Sequence, residues 1–323
     1  MRGSRWVALV ALLALASIVA LALGVIPLSP RALWLALNGD GDQTAATIVR
    51  TLRLPRTLLA MLVGAGLGIS GAALQGALRN TLAEPYLLGV SGGAAVGAVL
   101  AVGAGVSIAL LPVASFAGSA MAVALTLYVA HASGTRGDPR VLIMGGVVVG
   151  AFANAAIMIL LANQSANTVR GALWWMMGSV GDATMGNVVV LAGYIAVGGA
   201  ALIVWARELD VLALGDEAAA GLGVEVDRAM RRIFLAASML AAATVAAAGL
   251  VGFVGLVVPH LARMIGARRH RPMIVASALV GAILVVVADV IARTVLPPSE
   301  LPLGAVTAML GVPFFLARLR KIA

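Results

Sequence analysis

No cysteine occurs in the 323 residues, which excludes disulfides, cysteine-ligated zinc and iron–sulfur clusters. Charge is scarce too: Asp, Glu, Lys and Arg make up 11% of the chain, against roughly 25% in a soluble domain. That is too little polar side chain to cover a water-soluble globule. It is also the opposite of disorder, which needs low hydrophobicity and high charge. Aromatic residues are 4%, and the three histidines, His131, His260 and His270, stand far apart. None has a second His at ligand spacing and no H-E-x-x-H occurs, so side-chain metal binding is not expected. The sole lysine is Lys321, third from the C-terminus. A phosphate-binding G-x-x-x-x-G-K-[ST] loop is therefore missing. The chain is expected to be neither its own ATPase nor the holder of a cofactor.

What is present is apolar: 62% of the residues, with 38 glycines in addition. This composition predicts an all-α polytopic membrane protein. A span needs about 20 apolar residues. About ten such runs are found, near 6–26, 55–78, 87–104, 108–130, 141–162, 186–206, 232–248, 252–267, 273–296 and 302–317. The net charge of +9 would raise nucleic acid as a partner for a soluble protein. Here the arginines stand in short loops between spans, most of them on one side, so the positive-inside rule accounts for them and nucleic acid is not expected. An even number of spans then puts both termini in the cytoplasm, with the larger basic share, Arg2, Arg136, Arg320 and Lys321 included. Residues 1–323 read as one membrane domain with a charged cytoplasmic loop at 207–231. The apolar run 6–26 is longer than a signal-peptide core and reads as a retained span. Residues 27–54 read as an outside loop with a short helix. Ile233–Pro259 is too long for one span and too short for two. Gly249, Gly252 and Gly255 predict a tight outer turn there and a short returning helix.

Several motifs have a plain and a sharp reading. Gly66–Gly71 matches G-x-G-x-x-G, but it lies inside a span, where small residues serve close helix packing. Asp289 is the candidate for a charge within the bilayer. It stands four residues before Arg293, so the sharp reading is a proton relay and the plain one a helix-end ion pair. In 207–231, Leu209, Val211, Leu212 and Leu214 precede Gly215-Asp216-Glu217-Ala218-Ala219-Ala220-Gly221-Leu222-Gly223. This predicts a short helix with Asp216 near its N-cap and an exit at Gly221 or Gly223. An exposed apolar edge on a charged loop suggests a docking surface, and an ordinary solvated loop is the alternative. Asn80–Ala94 is a tight inside turn leading into a glycine-rich helix.

Taken together, several stretches resemble one family. They are Leu52–Arg56, Ser70–Gln75, Asn80–Ala94, Trp175–Gly178, Leu212–Gly215, Gly252–His260, Ala288–Arg293 and Glu300–Gly304, in family order over nearly the whole chain. The family is the permease subunit of ABC importers for iron–siderophore complexes, haem and vitamin B12, the FecCD type. The resemblance implies a type II importer permease in a bacterial inner membrane, working as a homodimer surrounded by lipid. It implies two cytoplasmic ATPase subunits, which hold the ATP and Mg, and a periplasmic substrate-binding protein. It assigns ATPase docking to Leu212, Leu214, Gly215, Asp216, Glu217, Ala218, Ala219, Gly221, Leu222 and Gly223. Arg53, Arg56 and Arg293 become rim charges facing acidic residues of the binding protein. Asn80 and Leu82 form a cytoplasmic gate, and Gly137-Asp138-Pro139 a second one. The chain departs from the family in having Asn80-Thr81 where Asn-Pro is usual, and in lacking small hydroxyl residues before Arg140. A proton-coupled carrier using Asp289 is the alternative function. Iron–siderophore, haem and cobalamin are not separated by the residues.

Overall fold

A computed structural model describes residues 3–40, 42–132 and 138–319. Arg2, Gly41, Arg136, Gly137, Arg320 and Lys321 lie outside the described residues. The chain runs through α1 (Gly3–Ala22), α2 (Pro30–Asn38), α3 (Gln43–Thr47), α4 (Leu54–Ala77), α5 (Val90–Gly103), α6 (Leu111–Ala132), α7 (Pro139–Ala162) and α8 (Ala166–Met176). It continues through α9 (Met185–Val204), α10 (Ala206–Leu212), α11 (Asp216–Gly221), α12 (Val226–Ala248), α13 (Val254–Met264), α14 (His270–Thr294) and α15 (Leu303–Leu319). No strand occurs among the described residues. Seven helices are long and apolar enough to cross a membrane: α1, the continuous helix Gln43–Ala77, α6, α7, α9, α12 and α14. The apolar helices α5, α13 and α15 are shorter and stand where three further spans were expected.

The segment before α4 corrects the sequence reading. Residues 43–53 are not loop. They continue into α4 through a wide π-type turn, Ile48–Arg53, giving one helix of 35 residues. Pro55 explains the wide turn: it has no N–H to give to the preceding turn, and a wider turn accommodates the missing bond. The turn also rotates Arg53 toward the end of α1.

α4 is the central helix, buried along nearly its whole length. Lipid supplies no hydrophobic force between helices, so close approach of small residues must hold them. Gly64 and Gly281 face each other so tightly that a Cβ on either would overlap the other's carbonyl. Gly68 abuts the Ser277 carbonyl and Gly71 the Gly255 carbonyl in the same way. The G-x-G-x-x-G motif is thus a packing seam, with Gly66 against Thr244 of α12, Gly68 against α14 and Gly71 against α13. Gly93 and Gly118 make a second seam between α5 and α6.

The break between α12 and α13 lies where the glycines predict it. Gly249 has φ 69° and Phe253 φ 66°. Pro259 sits inside α13, so the Gly255 carbonyl has no helical donor. Gln75 of α4 compensates: its Nε2 donates to Gly255 O at 3.4 Å and Leu256 O at 3.1 Å. Arg263 in turn donates to Gln75 Oε1.

Candidate functional site

Two polar regions lie at opposite ends of the bundle. At one end, contacts join the N-terminus of α1, the turn after α4, α10–α11 and the α13–α14 loop. Arg5 donates to Ile265 O at 2.8 Å. Asp210 accepts from the His270 backbone N–H at 2.9 Å and lies 2.7 Å from its Nδ1, fixing α10 to the start of α14. Glu208 pairs with Arg232 of α12, whose guanidinium also stacks 5.1 Å from the Trp205 ring centre. Leu209 and Leu212 are wholly buried beneath α10. This corrects the expected exposed edge: the apolar side of α10 is spent on the protein's own core.

α11 differs from α10. It starts after Gly215, at φ 106°, and ends before Gly223, at φ 82°. Both values lie in the region that favours glycine. Gly215 is the N-cap, with Asp216 next to it as expected, and no side chain caps the helix. Asp216 is the first helical residue, and its carboxylate goes to Arg79 instead, at 3.0 Å. Of the ten residues expected to dock a partner, Leu212 and Ala219 are buried and act as anchors. Asp216, Glu217, Ala218, Gly221, Leu222 and Gly223 are exposed and Gly215 half-buried. Leu214 and Leu222 are apolar yet 65% and 63% exposed, one on each side of the acidic turn. The region therefore presents a small apolar and acidic surface on a buried footing.

The residues expected to form gates are shaped by local bonds. Asn80 Oδ1 accepts from Leu82 N–H at 2.9 Å, closing a tight turn, and Leu82 is exposed. Asp138 caps α7, accepting from Arg140 N–H at 2.8 Å. The Gly137 part of the second gate lies outside the described residues.

At the opposite end, Arg53, Arg56 and Arg293 come together around Asp289 and Glu300. They line a cavity of about 310 Å³. The picture of three free rim charges is corrected. Arg53 is buried and donates to Leu21 O at 2.8 Å, Ala22 O at 2.9 Å and Ile26 O, closing the open carbonyl end of α1. Arg293 is buried and donates to Ala20 O at 2.6 Å. Asp289 lies between Arg56, at 2.9 Å, and Arg293, at 3.4 Å. The i, i+4 pair expected within α14 is present, but the stronger partner is Arg56 from α4. Arg56 also holds Glu300 through two bonds of 2.7 and 2.8 Å. Hydrogen bonding from Arg56 holds the Glu300 carboxyl below its ordinary value, against partial burial. Glu300 is the member nearest solvent, with its side chain 45% exposed.

Sequence reasoning missed four contributors. Glu300 was visible as part of a motif but had no assigned partner. Arg79 gave no signal beyond standing before the Asn80 turn. Glu84 and Tyr86 are half-buried: Glu84 Oε1 accepts from Phe253 N–H at 2.8 Å and Tyr86 Oη from Val251 N–H at 2.9 Å. They satisfy the backbone of the α12–α13 break, as non-helical backbone at membrane depth requires.

Comparison with known proteins adds four findings. A model of the FecCD transport family matches residues 12–321. The chain is 42% identical over 280 residues to a cobalamin import system permease of Halobacterium salinarum, covering 86% of this chain and 74% of that one. It is 38% identical over 300 residues to the hemin transport system permease of Yersinia pestis, covering 91% and 88%. Among solved structures, a metal-chelate type ABC transporter in an inward-facing conformation aligns with a TM-score of 0.90 at 27% identity, covering 99% of this chain and all of that one.

Proposed function

The chain belongs to the FecCD transport family, and from that premise we propose that it carries a bulky metal chelate inward across the membrane as one of two identical permease copies. It is the permease component of an ABC importer, and the ATPase of such a system is a separate subunit. Relatives named for cobalamin, hemin, iron(3+)-hydroxamate and iron(3+)-citrate import define the range of cargo. Their shared chemistry is a large chelate, which an apolar path can pass without tight binding. ATP and Mg belong to two cytoplasmic ATPase subunits, and a periplasmic binding protein delivers the cargo. Both termini lie in the cytoplasm on this reading.

The observation that carries the reading is α11. A short acidic helix with two exposed leucines rests on buried Leu212 and Ala219, in a chain without a phosphate loop of its own. Such a surface suits an ATPase subunit that pushes on it. At the other end, Arg56, held by half-exposed Glu300, is the arginine left to meet the acidic face of a binding protein. Asp289 does not suit a proton carrier, because two guanidinium groups already occupy it.

The test is uptake into liposomes holding the permease and its cognate ATPase, with binding protein outside. Cyanocobalamin, haem, ferric hydroxamate and ferric citrate serve as cargo. ATP-dependent accumulation of one of them is expected. Uptake driven by a proton gradient with no ATPase present would instead support the carrier.

A further inference from the structure

Among the described residues, two non-glycine residues have positive φ: Arg79 at 48° and Phe253 at 66°. Such a conformation is disfavoured for an L-residue, and it persists where the surroundings need it. Both residues stand at the ends of one connection. Arg79 follows α4 at the position where glycine usually ends a helix; its N–H bonds Gly76 O at 3.2 Å and Asn80 N–H bonds Gln75 O at 3.2 Å. Its side chain reaches Asp216 at the head of α11. From there the chain passes the Asn80–Leu82 turn and climbs into the bundle. A Cβ on Gly255 would press on the Pro85 ring, and Gly255 abuts Gly71. Gly71 is six residues above the end of α4, or about 9 Å. At the top, Glu84 bonds the Phe253 N–H and Tyr86 the Val251 N–H.

We infer that residues 79–86 form a strap that joins α11 to the α12–α13 break, with Arg79 as the positioning residue that makes the Asn80–Leu82 turn follow α11. The fixing of the neighbouring elements supports this. α10 is bound to α12 and α14 by Glu208–Arg232 and Asp210–His270. α11 lies between two glycines, and its ion pair goes to the strap rather than to a span. A push on α11 is therefore passed to the turn through this tie as well as to the core through Ala219. A glycine at position 79 would relieve the backbone cost but would lose the tie. This inference rests on the permease reading and adds the route by which α11 acts.

The test uses the full importer in liposomes with whichever of the four chelates the wild type transports. Arg79→Asn removes the charge while keeping a residue that tolerates positive φ. Uptake per ATP hydrolysed should fall by about fivefold, the upper range for an exposed pair, with basal hydrolysis and subunit assembly unchanged. Arg79→Lys, which keeps the charge facing Asp216, should recover at least half of the loss. A cysteine at Thr81 should change its maleimide labelling rate when ATP is trapped, and this change should vanish in Arg79→Asn. Unchanged uptake per ATP in Arg79→Asn, or Arg79→Lys no better than Arg79→Asn, would overturn the strap. If Arg79→Asn fails to assemble, an unchanged labelling rate at Thr81→Cys in the otherwise wild-type protein still overturns it. Absence of wild-type uptake would instead overturn the transport reading on which the strap rests.

Discussion

At the residue scale, the arginines at the α1–α4–α14 end do two different jobs. Arg53 and Arg293 close carbonyls at the end of α1, so they are structural in this state. Arg56 is the exchangeable one, held by buried Asp289 and by half-exposed Glu300. Asp289→Asn leaves two guanidinium groups facing one remaining carboxylate. Removing one partner of a buried pair costs about 3 kcal/mol or more. Thermal unfolding in detergent should show that loss, and ATP-driven uptake should persist in whatever fraction stays folded. Glu300 gives a pH signature. Its folded pKa is depressed by Arg56. Its contribution to stability is therefore complete above the ordinary carboxylate value of about 4.3. It is lost as pH falls through the lower folded value. Melting curves of wild type and Glu300→Gln should be separated at pH 6 and should converge as the pH falls below the ordinary carboxylate value.

At the element scale, most of the helices could be read directly. Long apolar runs located α1, α4, α6, α7, α9, α12 and α14, because a span's composition is dictated by lipid. The reversal at Gly249–Phe253 was visible because glycine marks the required turn. Three features were not legible. The extension of α4 back to Gln43 depends on a wide turn that makes room for Pro55, and no composition rule announces one. Leu209 and Leu212 were read as exposed because a short charged helix gives no sign of which face meets the bundle. Arg53 and Arg293 were read as free charges because their partners are backbone carbonyls of α1, which no side-chain pattern reveals. The division within α10–α11 can be tested. Leu212→Ala removes a buried side chain and should lower stability by about 2–5 kcal/mol. Leu214→Asp alters an exposed one and should leave thermal stability unchanged while reducing ATPase copurification by tenfold or so, about 1.4 kcal/mol. Equal effects of the two in both assays would contradict the division.

At the scale of the whole molecule, the bundle has one polar region at each end and an apolar, glycine-packed interior between them. The family and the membrane class were legible from composition, from the missing phosphate loop and from motifs in family order. The cargo was not, since an Ala-, Val-, Leu- and Gly-lined interior offers a chelate few directional contacts. What unites the two ends is α4, which starts at the Arg56 cluster and finishes at Arg79 beside α11. Uptake dependent on both ATPase and binding protein is the behaviour expected of such an arrangement.

The sidedness of α11 bears on all of this most directly. Because the chain has no cysteine, Leu214→Cys creates a single reactive site on the exposed face. Intact cells treated with a membrane-impermeant maleimide should leave it unlabelled, and permeabilised cells should label it fully. Labelling in intact cells would put α11 on the outer face, out of reach of any cytoplasmic ATPase, and would contradict the proposed coupling.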